Sequence, residues 1–195
     1  MCSSDLGTIA DRGSFTTDAS RDWTVKVEAD GLTAGTSYYY RFSNDGVLSP
    51  VGQTRTLASD AFNARIALFS CANFTAQPEF AVYGKAAEIN AQKPYDAWVH
   101  VGDYIYEYAK GGYSSAEGSA TNRGFLPDHE LISLDDYRQR YAQYHTDTNL
   151  QNLRQNAPLI AIWDDHETAN DSYKTGAEDR KSTRLNSSHQ IISYA

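Results

Sequence analysis

Three short, nearly continuous apolar runs constrain the fold of this chain most strongly. They are "RIALFS" at residues 65–70, "YDAWVHVG" at residues 95–102 and "PLIAIW" at residues 158–163. Runs of this length and composition are typical of strands that are covered on both faces of a sheet. Because helical patterns separate the runs, the order of elements predicts βαβ units and a mostly parallel sheet, which is an α/β fold.

The segments between these runs show the periodicity of helices. Apolar residues recur at intervals of three and four, which predicts helices at residues 77–92, 134–147 and 148–157. Pro94 ends the first of these helices. A Gly- and Ser-rich stretch at residues 109–127 predicts a long loop, which could shape access to a site.

Residues 7–60 have a different texture, which predicts β-structure. Residues 23–29 alternate with period two, residues 36–43 are rich in β-formers, and residues 51–59 predict a further strand. Turn sequences separate these segments. The spacing is typical of an immunoglobulin- or fibronectin-like sandwich, but the segment is too short for a complete one. The tyrosines at residues 38–40 are better explained by packing than by a binding face.

The two ends of the chain carry sequences of another kind. Residues 1–6, "MCSSDL", and residues 179–195, which begin "DRKSTRLNSSH", resemble translations of a short-read sequencing adapter. We therefore expect both segments to be foreign to the natural protein, and we assign domains to residues 7–60 and 61–178. On this interpretation the chain is a fragment, so the missing signal peptide does not argue against export.

Composition narrows the function classes. The net charge of −8 disfavours the phosphate backbone of nucleic acids as a partner. No apolar run approaches the ~18 residues of a transmembrane helix. Of the two cysteines, Cys2 belongs to the N-terminal end segment, so Cys71 stands alone and a disulfide framework is excluded.

Reactive side chains follow all three predicted strands. Parallel strands bring their carboxyl ends to one edge of the sheet, where open α/β sheets bind ligands. Each residue alone has a simple structural explanation, such as a buried thiol or a turn aspartate, but the coincidence at one edge favours a polynuclear metal site. The candidate residues are Cys71, Asp103, Tyr106, Asp164, Asp165, His166, Glu167 and Asn170.

Several sequence blocks resemble a known family. "FSCANF", "HVGDYIYEY", "LDDYRQRYAQYHTD" and "WDDHETAND" resemble the signature blocks of PhoD-type alkaline phosphatases, which are metallophosphoesterases, in the same order and at similar spacing. "GLTAGTSYYYRF" and "SPVGQTRT" resemble the β-sandwich domain that precedes the catalytic domain in that family. The resemblance implies an incomplete metallophosphoesterase-type α/β sandwich preceded by a partial immunoglobulin/fibronectin-like β-sandwich.

The resemblance also implies metal ligands. Asp103 would bridge two metals, since a carboxylate has an oxygen for each. Tyr106 and Cys71 would bind ferric iron as phenolate and thiolate. Asp165 and Asn170 would offer hard oxygen ligands to a neighbouring Ca²⁺. The implied cofactors are therefore Fe³⁺ and Ca²⁺.

The implied activity is metal-dependent hydrolysis of phosphoric esters, in which a metal-activated water or oxide attacks phosphorus. His166 would be catalytic and would protonate the leaving group, while Asp164 and Glu167 would orient their neighbours. The substrate would be a small phosphate monoester or phosphodiester. The family resemblance further implies a secreted, periplasmic or cell-surface bacterial protein.

Part of the implied site is absent from the chain. The family supplies further ligands from a later Asp-x-His motif, whereas the single histidine after His166 is His189, in the C-terminal end segment. We therefore expect weak metal binding and little turnover from these 195 residues. The alternative is a non-catalytic binding or adhesion protein with a degenerate phosphoesterase scaffold, and the intact set of candidate ligands argues against it.

Overall fold

The computed structural model describes residues 2–3, 8–60, 63–113, 123–173 and 176–177. The central part of the predicted loop at residues 109–127 and the end segment at residues 179–195 therefore lie outside the described residues. The strands are β1 Cys2–Ser3, β2 Ser37–Tyr40, β3 Ser43–Asn44, β4 Val47–Leu48, β5 Gly52–Arg55, β6 Ile66–Phe69, β7 Ala97–His100 and β8 Leu159–Ala161. The α-helices are α1 Ala81–Gln92, α2 Leu134–Tyr144 and α3 Thr148–Asn156.

The N-terminal part forms an antiparallel sheet of strand order β1–β2–β5, with a separate β3–β4 hairpin. The strands predicted within residues 36–43 and 51–59 are confirmed as β2 and β5. Asp45 and Gly46 turn the hairpin with φ angles of 47° and 82°, as a two-residue hairpin turn requires. Tyr40 lies opposite Gly52, where an added Cβ would come within 2.2 Å of the tyrosine ring. A larger residue at position 52 would therefore displace that ring.

The strand predicted at residues 23–29 is wrong. Those residues pair with no strand in the described part of the chain, and the Trp23 side chain is 69% exposed. Asp22 and Trp23 take left-handed φ angles of 52° and 57°, which break an extended backbone at the start of the segment. Alternating apolar and polar side chains make a segment compatible with a strand, but a strand also needs a neighbouring strand to accept and donate its backbone hydrogen bonds.

The second part of the chain is built on a parallel sheet of strand order β6–β7–β8. The predicted parallel arrangement is confirmed, and all three strands end at the same edge. One face of this sheet, which carries Phe69, Trp98 and His100, packs on α1 and on the aromatic core. Helix α1 also packs against α3. The core therefore lies between the sheet and the helices.

The other face of the parallel sheet is open in the described part of the chain, so the expectation that both faces are covered is wrong there. Ile66, Leu68 and Ile160 are all more than half exposed, and Leu68 reaches 68%. The register aligns Leu68 with Val99 and Val99 with Ile160, which makes one continuous apolar stripe. The helices explain the difference, because they lie against the opposite face.

Local signals fix the helix ends. Ser133 caps α2 in a capping box with Asp136, and Asp147 caps α3 through the backbone N–H groups of Asn149 and Leu150. Helix α2 ends at Tyr144, three residues before the predicted end, because the Asp147 cap begins the next helix. None of the helices in the described ranges has both the length and the apolar character needed to cross a membrane.

The Arg140 side chain holds the chain segment that follows β7. It is fully buried on α2 and donates hydrogen bonds to the carbonyl oxygens of Leu126, Tyr106, Tyr108 and Pro127. Its guanidinium also lies 4.2 Å from the centroid of the Phe125 ring. Burial lowers the pKa of Arg140 to about 10. This one cation therefore ties Tyr106 to the middle of α2, and it forms no ion pair with a carboxylate among the described residues.

Candidate metal centre

The loops that follow β6 and β7 run side by side at the carboxyl edge of the parallel sheet. The Cys71 N–H donates to the Gly102 carbonyl over 3.2 Å, and the Ala72 N–H donates to the Asp103 carbonyl over 2.9 Å. Burial raises the pKa of Asp103, and the nearby Cys71 thiol opposes that rise. The sheet thus brings Cys71 and Asp103 into contact, as the strand order predicts.

Gly102 lets the loop after β8 approach this pair. Its φ angle is +102°, and an added Cβ would lie 2.3 Å from the Asp164 Cβ and 2.6 Å from the Asp164 nitrogen. No other residue type fits such a contact without moving the backbone. The abrupt stop of the strand at Gly102 is therefore a close approach of two loops and not a simple surface turn.

Two candidate ligands are held in an unfavourable backbone conformation. Cys71 and Asp103 have φ angles of 59° and 52°, in the left-handed region that non-glycine residues seldom occupy. Such strain costs about 1–3 kcal/mol for each residue and concentrates at functional sites. The surrounding hydrogen bonds therefore hold these two side chains in place at a cost in stability.

The buried Glu167 carboxylate fastens the loop after β7 to the loop after β8. It accepts hydrogen bonds from the backbone N–H groups of Asp103 over 3.1 Å, Asp164 over 2.7 Å, and Tyr104. Burial raises its pKa, while these three donors act in the opposite direction. The Glu167 side chain thus contacts the backbone of both candidate metal loops, and its orienting role stays a prediction. Asp164 takes part in this arrangement through its backbone N–H, which donates to Glu167.

Asp103, Asp165 and His166 form a compact cluster at this edge, which we call the acidic group. One potential ligand atom from each of Asp103, Asp165 and His166 lies within 4.8 Å of the other two, so the three could hold a metal ion. The Tyr106 hydroxyl donates to Asp103 Oδ2 over 3.4 Å. The Cys71 thiol is not part of that three-residue group, and it lies on the neighbouring loop after β6, whose backbone bonds to Gly102 and Asp103.

The Asp103 carboxylate fits a cation. Its Oδ1 atom is buried and has no hydrogen-bond partner among the described residues. Burial raises the pKa of Asp103, as do the nearby Asp165 and Asp164, although Cys71 and His166 oppose this. Burial and the Asp103 charge likewise raise the pKa of Tyr106. A bound cation would satisfy the orphaned oxygen and favour the ionised form of both groups.

Asn170 flanks this group. Its side-chain Nδ2 donates to Asp171 Oδ2 over 3.2 Å, and the Asp171 N–H donates to Asp165 Oδ2 over 2.5 Å. The loop that carries Asn170 therefore folds back onto Asp165. The role of Asn170 as a metal ligand stays a prediction.

Sequence reasoning missed Glu107. This residue is 3% exposed, and its Oε2 lies 2.8 Å from Nδ1 of His166. Burial alone would lower the pKa of His166, but the hydrogen bond and charge of Glu107, with Asp103 and Asp165, raise it above its ordinary value. The sequence does contain a signal for this residue: "GDYIYEY" places a second acidic residue, Glu107, four positions after Asp103. The aromatic residues around Glu107 favoured a packing role for this segment.

A parallel sheet with carboxylates, an imidazole and a thiol at its carboxyl edge defines an α/β domain with a candidate metal site at that edge. Residues 66–193 match the PhoD-like phosphatase family, and residues 3–58 match the N-terminal domain of PhoD-like phosphatases. The chain belongs to the PhoD-like phosphatase family. It therefore combines the N-terminal domain of the family with part of the catalytic domain, and the predicted family resemblance is confirmed.

Two relatives support this assignment. Alkaline phosphatase D of Bacillus subtilis (strain 168) is 41% identical over 146 residues, which make up 75% of this chain and 24% of that protein. A solved structure described as "Structure of PhoD" superposes with a TM-score of 0.82 at 33% identity, covering 94% of this chain and 35% of the other. The chain thus spans about a quarter of the length of the curated relative.

Proposed function

We propose that this chain carries the first part of the catalytic centre of a metal-dependent phosphoric ester hydrolase. The single observation that carries the proposal is the buried Oδ1 atom of Asp103, which has no hydrogen-bond partner among the described residues and belongs to a group with Asp165 and His166. A buried carboxylate oxygen without a donor costs free energy unless a cation binds it.

We propose Fe³⁺ and Ca²⁺ as the cations. Cys71 and Tyr106 would hold Fe³⁺, because thiolate and phenolate are anionic ligands that a trivalent ion favours. Asp165 and Asn170 would hold Ca²⁺ through oxygen atoms, and Asp103 would contact both ions. The Tyr106 hydroxyl already hydrogen-bonds to the Asp103 carboxylate, and the loop that carries Cys71 hydrogen-bonds to the loop that carries Asp103, which supports the first half of this assignment.

Residues Cys71, Asp103, Tyr106, Asp165 and Asn170 would hold these cations, whose chemistry would be to offset the charge of a phosphate ester and to activate water. His166 would exchange a proton with the ester oxygen that leaves. Glu167 and Asp164 would hold the loops after β7 and β8 at the distance that the reaction needs. The proposed substrate is a small phosphate monoester or phosphodiester, and the proposed location is outside the bacterial cytoplasm, at the cell surface, in the periplasm or secreted.

We also propose a finer architecture. The sheet of β1, β2 and β5 would be part of an immunoglobulin/fibronectin-like sandwich over residues 7–60. The sheet of β6, β7 and β8 would be half of a metallophosphoesterase-type α/β sandwich over residues 61–178. The open apolar face of the second sheet supports this, because a sandwich places a second layer there.

Metal binding by the 195-residue chain tests the centre directly. We expect Fe³⁺ to produce a visible charge-transfer absorption from the Tyr106 phenolate, and we expect the band to disappear in Tyr106→Phe and in Asp103→Asn. Tyr113→Phe is the matched control, since Tyr113 is 60% exposed and its ring lies beside Tyr106. A band unaffected by Tyr106→Phe would contradict the assignment of Tyr106 and would support the non-catalytic alternative.

Hydrolysis is tested in a longer protein, because this chain covers 24% of its relative. This chain would replace the aligned part of the Bacillus subtilis enzyme, and p-nitrophenyl phosphate and bis(p-nitrophenyl) phosphate would be the substrates. We expect metal-dependent hydrolysis that falls by at least about a hundredfold in Asp103→Asn. Equal rates with and without this substitution would contradict the proposal.

A further inference from the structure

The Glu107 carboxylate joins two parts of the candidate metal centre. Its Oε2 atom lies 2.8 Å from His166 Nδ1, and its Oε1 atom accepts a hydrogen bond from the Asn170 N–H over 2.6 Å. The residue is buried, and both of its oxygens are engaged. A carboxylate fixed in this way also fixes the imidazole that faces it.

We infer that Glu107 is a positioning residue, which keeps a proton on Nδ1 of His166 and leaves Nε2 for the acidic group of Asp103 and Asp165. An ionised carboxylate only accepts hydrogen bonds, so the ring nitrogen beside Oε2 carries the proton. A neutral imidazole has one N–H, and Nε2 therefore keeps its lone pair. The inference rests on the proposed function for its catalytic meaning.

Aromatic packing fixes the plane of the same imidazole. The centroid of the Tyr106 ring lies 4.4 Å from that of His166, and the Tyr108 centroid lies 5.5 Å from it. With Nδ1 bound to Glu107 and both tyrosines against the ring, His166 cannot rotate to present Nδ1 to the acidic group. One ring nitrogen of His166 lies within 4.8 Å of ligand atoms of Asp103 and Asp165, and Nε2 is the nitrogen that Glu107 leaves available to them.

This arrangement serves either chemical role of His166. As a metal ligand, Nε2 needs its lone pair, and a carboxylate on Nδ1 raises its basicity. As a proton donor, the imidazolium carries protons on both nitrogens, and Nε2 is the atom that releases its proton while Nδ1 keeps the other. In both cases Glu107 decides which nitrogen reacts without touching the substrate.

Glu107→Gln tests the inference because it preserves shape and changes the hydrogen-bond pattern. The Asn170 N–H can only donate, so it requires the amide oxygen of Gln. The amide NH₂ group then faces His166 Nδ1, which must become an acceptor, and the proton moves to Nε2. We expect the ratio of the two tautomers to change by about tenfold or more.

The tautomer can be observed in the metal-free chain by two-bond ¹H–¹⁵N correlation spectra, at a pH where His166 is neutral. The His166→Asn variant identifies the His166 signals by their loss. We expect Nδ1–H in the wild type, Nε2–H in Glu107→Gln, and no change in Glu79→Gln, an exposed glutamate outside the site. The same tautomer in the wild type and in Glu107→Gln would overturn the inference.

Zn²⁺ provides a second measurement, since its binding to imidazole needs the lone pair of Nε2. We expect Glu107→Gln to weaken Zn²⁺ binding by about 10–100-fold in a competition titration, with an unchanged affinity for Glu79→Gln. Unchanged Zn²⁺ affinity in Glu107→Gln, despite a changed tautomer, would also overturn the inference. Failure of the hydrolysis assay with the tautomer result intact would count against the proposed function alone.

Discussion

The Glu167 side chain holds the backbone of Asp103 in place: Oε2 of Glu167 accepts a hydrogen bond from the Asp103 N–H over 3.1 Å. The same oxygen accepts from the Asp164 N–H over 2.7 Å. One carboxylate oxygen therefore bridges the ends of two neighbouring strands. This bridge explains how Asp103 can occupy a left-handed conformation and still point its side chain into the acidic group.

We expect Glu167→Gln to destabilise the protein by about 2–4 kcal/mol, because an amide NH₂ group would face backbone donors that are buried with it. Urea unfolding measures the change. Glu79→Gln serves as the control, since the Glu79 side chain is exposed. A loss below 0.5 kcal/mol, on the order of an ordinary surface substitution, would show that Glu167 does not hold the loops together.

Gly102→Ala tests the close approach between the loops after β7 and β8. An alanine Cβ would lie 2.3 Å from the Asp164 Cβ, so we expect a loss of about 3 kcal/mol or more and a disrupted metal centre. Gly111→Ala is the matched control, because Gly111 also has a positive φ, +93°, but no atom within 4 Å of the added Cβ.

Gly111→Ala should therefore show the cost of the backbone conformation alone, about 1 kcal/mol. Thermal unfolding of both variants, together with Fe³⁺ binding, separates the two contributions. Equal destabilisation at the two glycines would contradict the importance of the contact with Asp164.

The sequence predicts the parallel sheet and its reactive edge because both depend on local patterns. An apolar run such as residues 95–102 can be recognised by itself, and the residue after it, Asp103, is placed by the direction of the strand alone. The order of β6, β7 and β8 then brings three such ends together.

Contacts between residues that are far apart in the chain could not be predicted from the sequence. Glu107 and His166 are separated by 59 residues and meet only because two loops are fastened to each other. Residues 23–29 show the same limit: the side chains alternate, but no strand in the described part of the chain pairs with them. The exposure of Leu68 likewise depends on which face the helices choose, and periodicity within a strand cannot decide this.

Arg140→Lys tests the clamp that holds the segment after β7. A lysine cannot reproduce the planar set of donors that contacts the carbonyl oxygens of Tyr106, Tyr108, Leu126 and Pro127. We expect a loss of about 3 kcal/mol in urea unfolding, since buried carbonyl groups lose their donors. Arg138→Lys, on the same helix, should cost less than about 1 kcal/mol, because Arg138 bonds to the exposed Asp135 and to one carbonyl, that of Ser20. A similar loss for both variants would refute the clamp.

His100 makes the stability of the protein depend on pH. It is fully buried, its Nε2 lies 3.0 Å from the Tyr83 hydroxyl, and burial lowers its pKa to about 4. The unfolded chain takes up this proton near pH 6.5 and the folded protein only near 4, so the unfolded state binds more protons between these values. The free energy of unfolding should therefore fall as the pH drops from about 6.5 to about 4, by up to about 1.4 kcal/mol per pH unit.

His100→Gln removes this titration and keeps a group that can bond to the Tyr83 hydroxyl. Urea unfolding of both proteins at several pH values gives the difference in slope, because every other group titrates in both. His145, whose pKa burial and Arg154 lower to about 3, contributes the same slope to each protein and cancels. We expect the difference in stability between wild type and variant to shrink steadily below about pH 6.5. A difference that stays constant over this range would mean that His100 carries no proton-linked stability, because a change in packing alone is independent of pH.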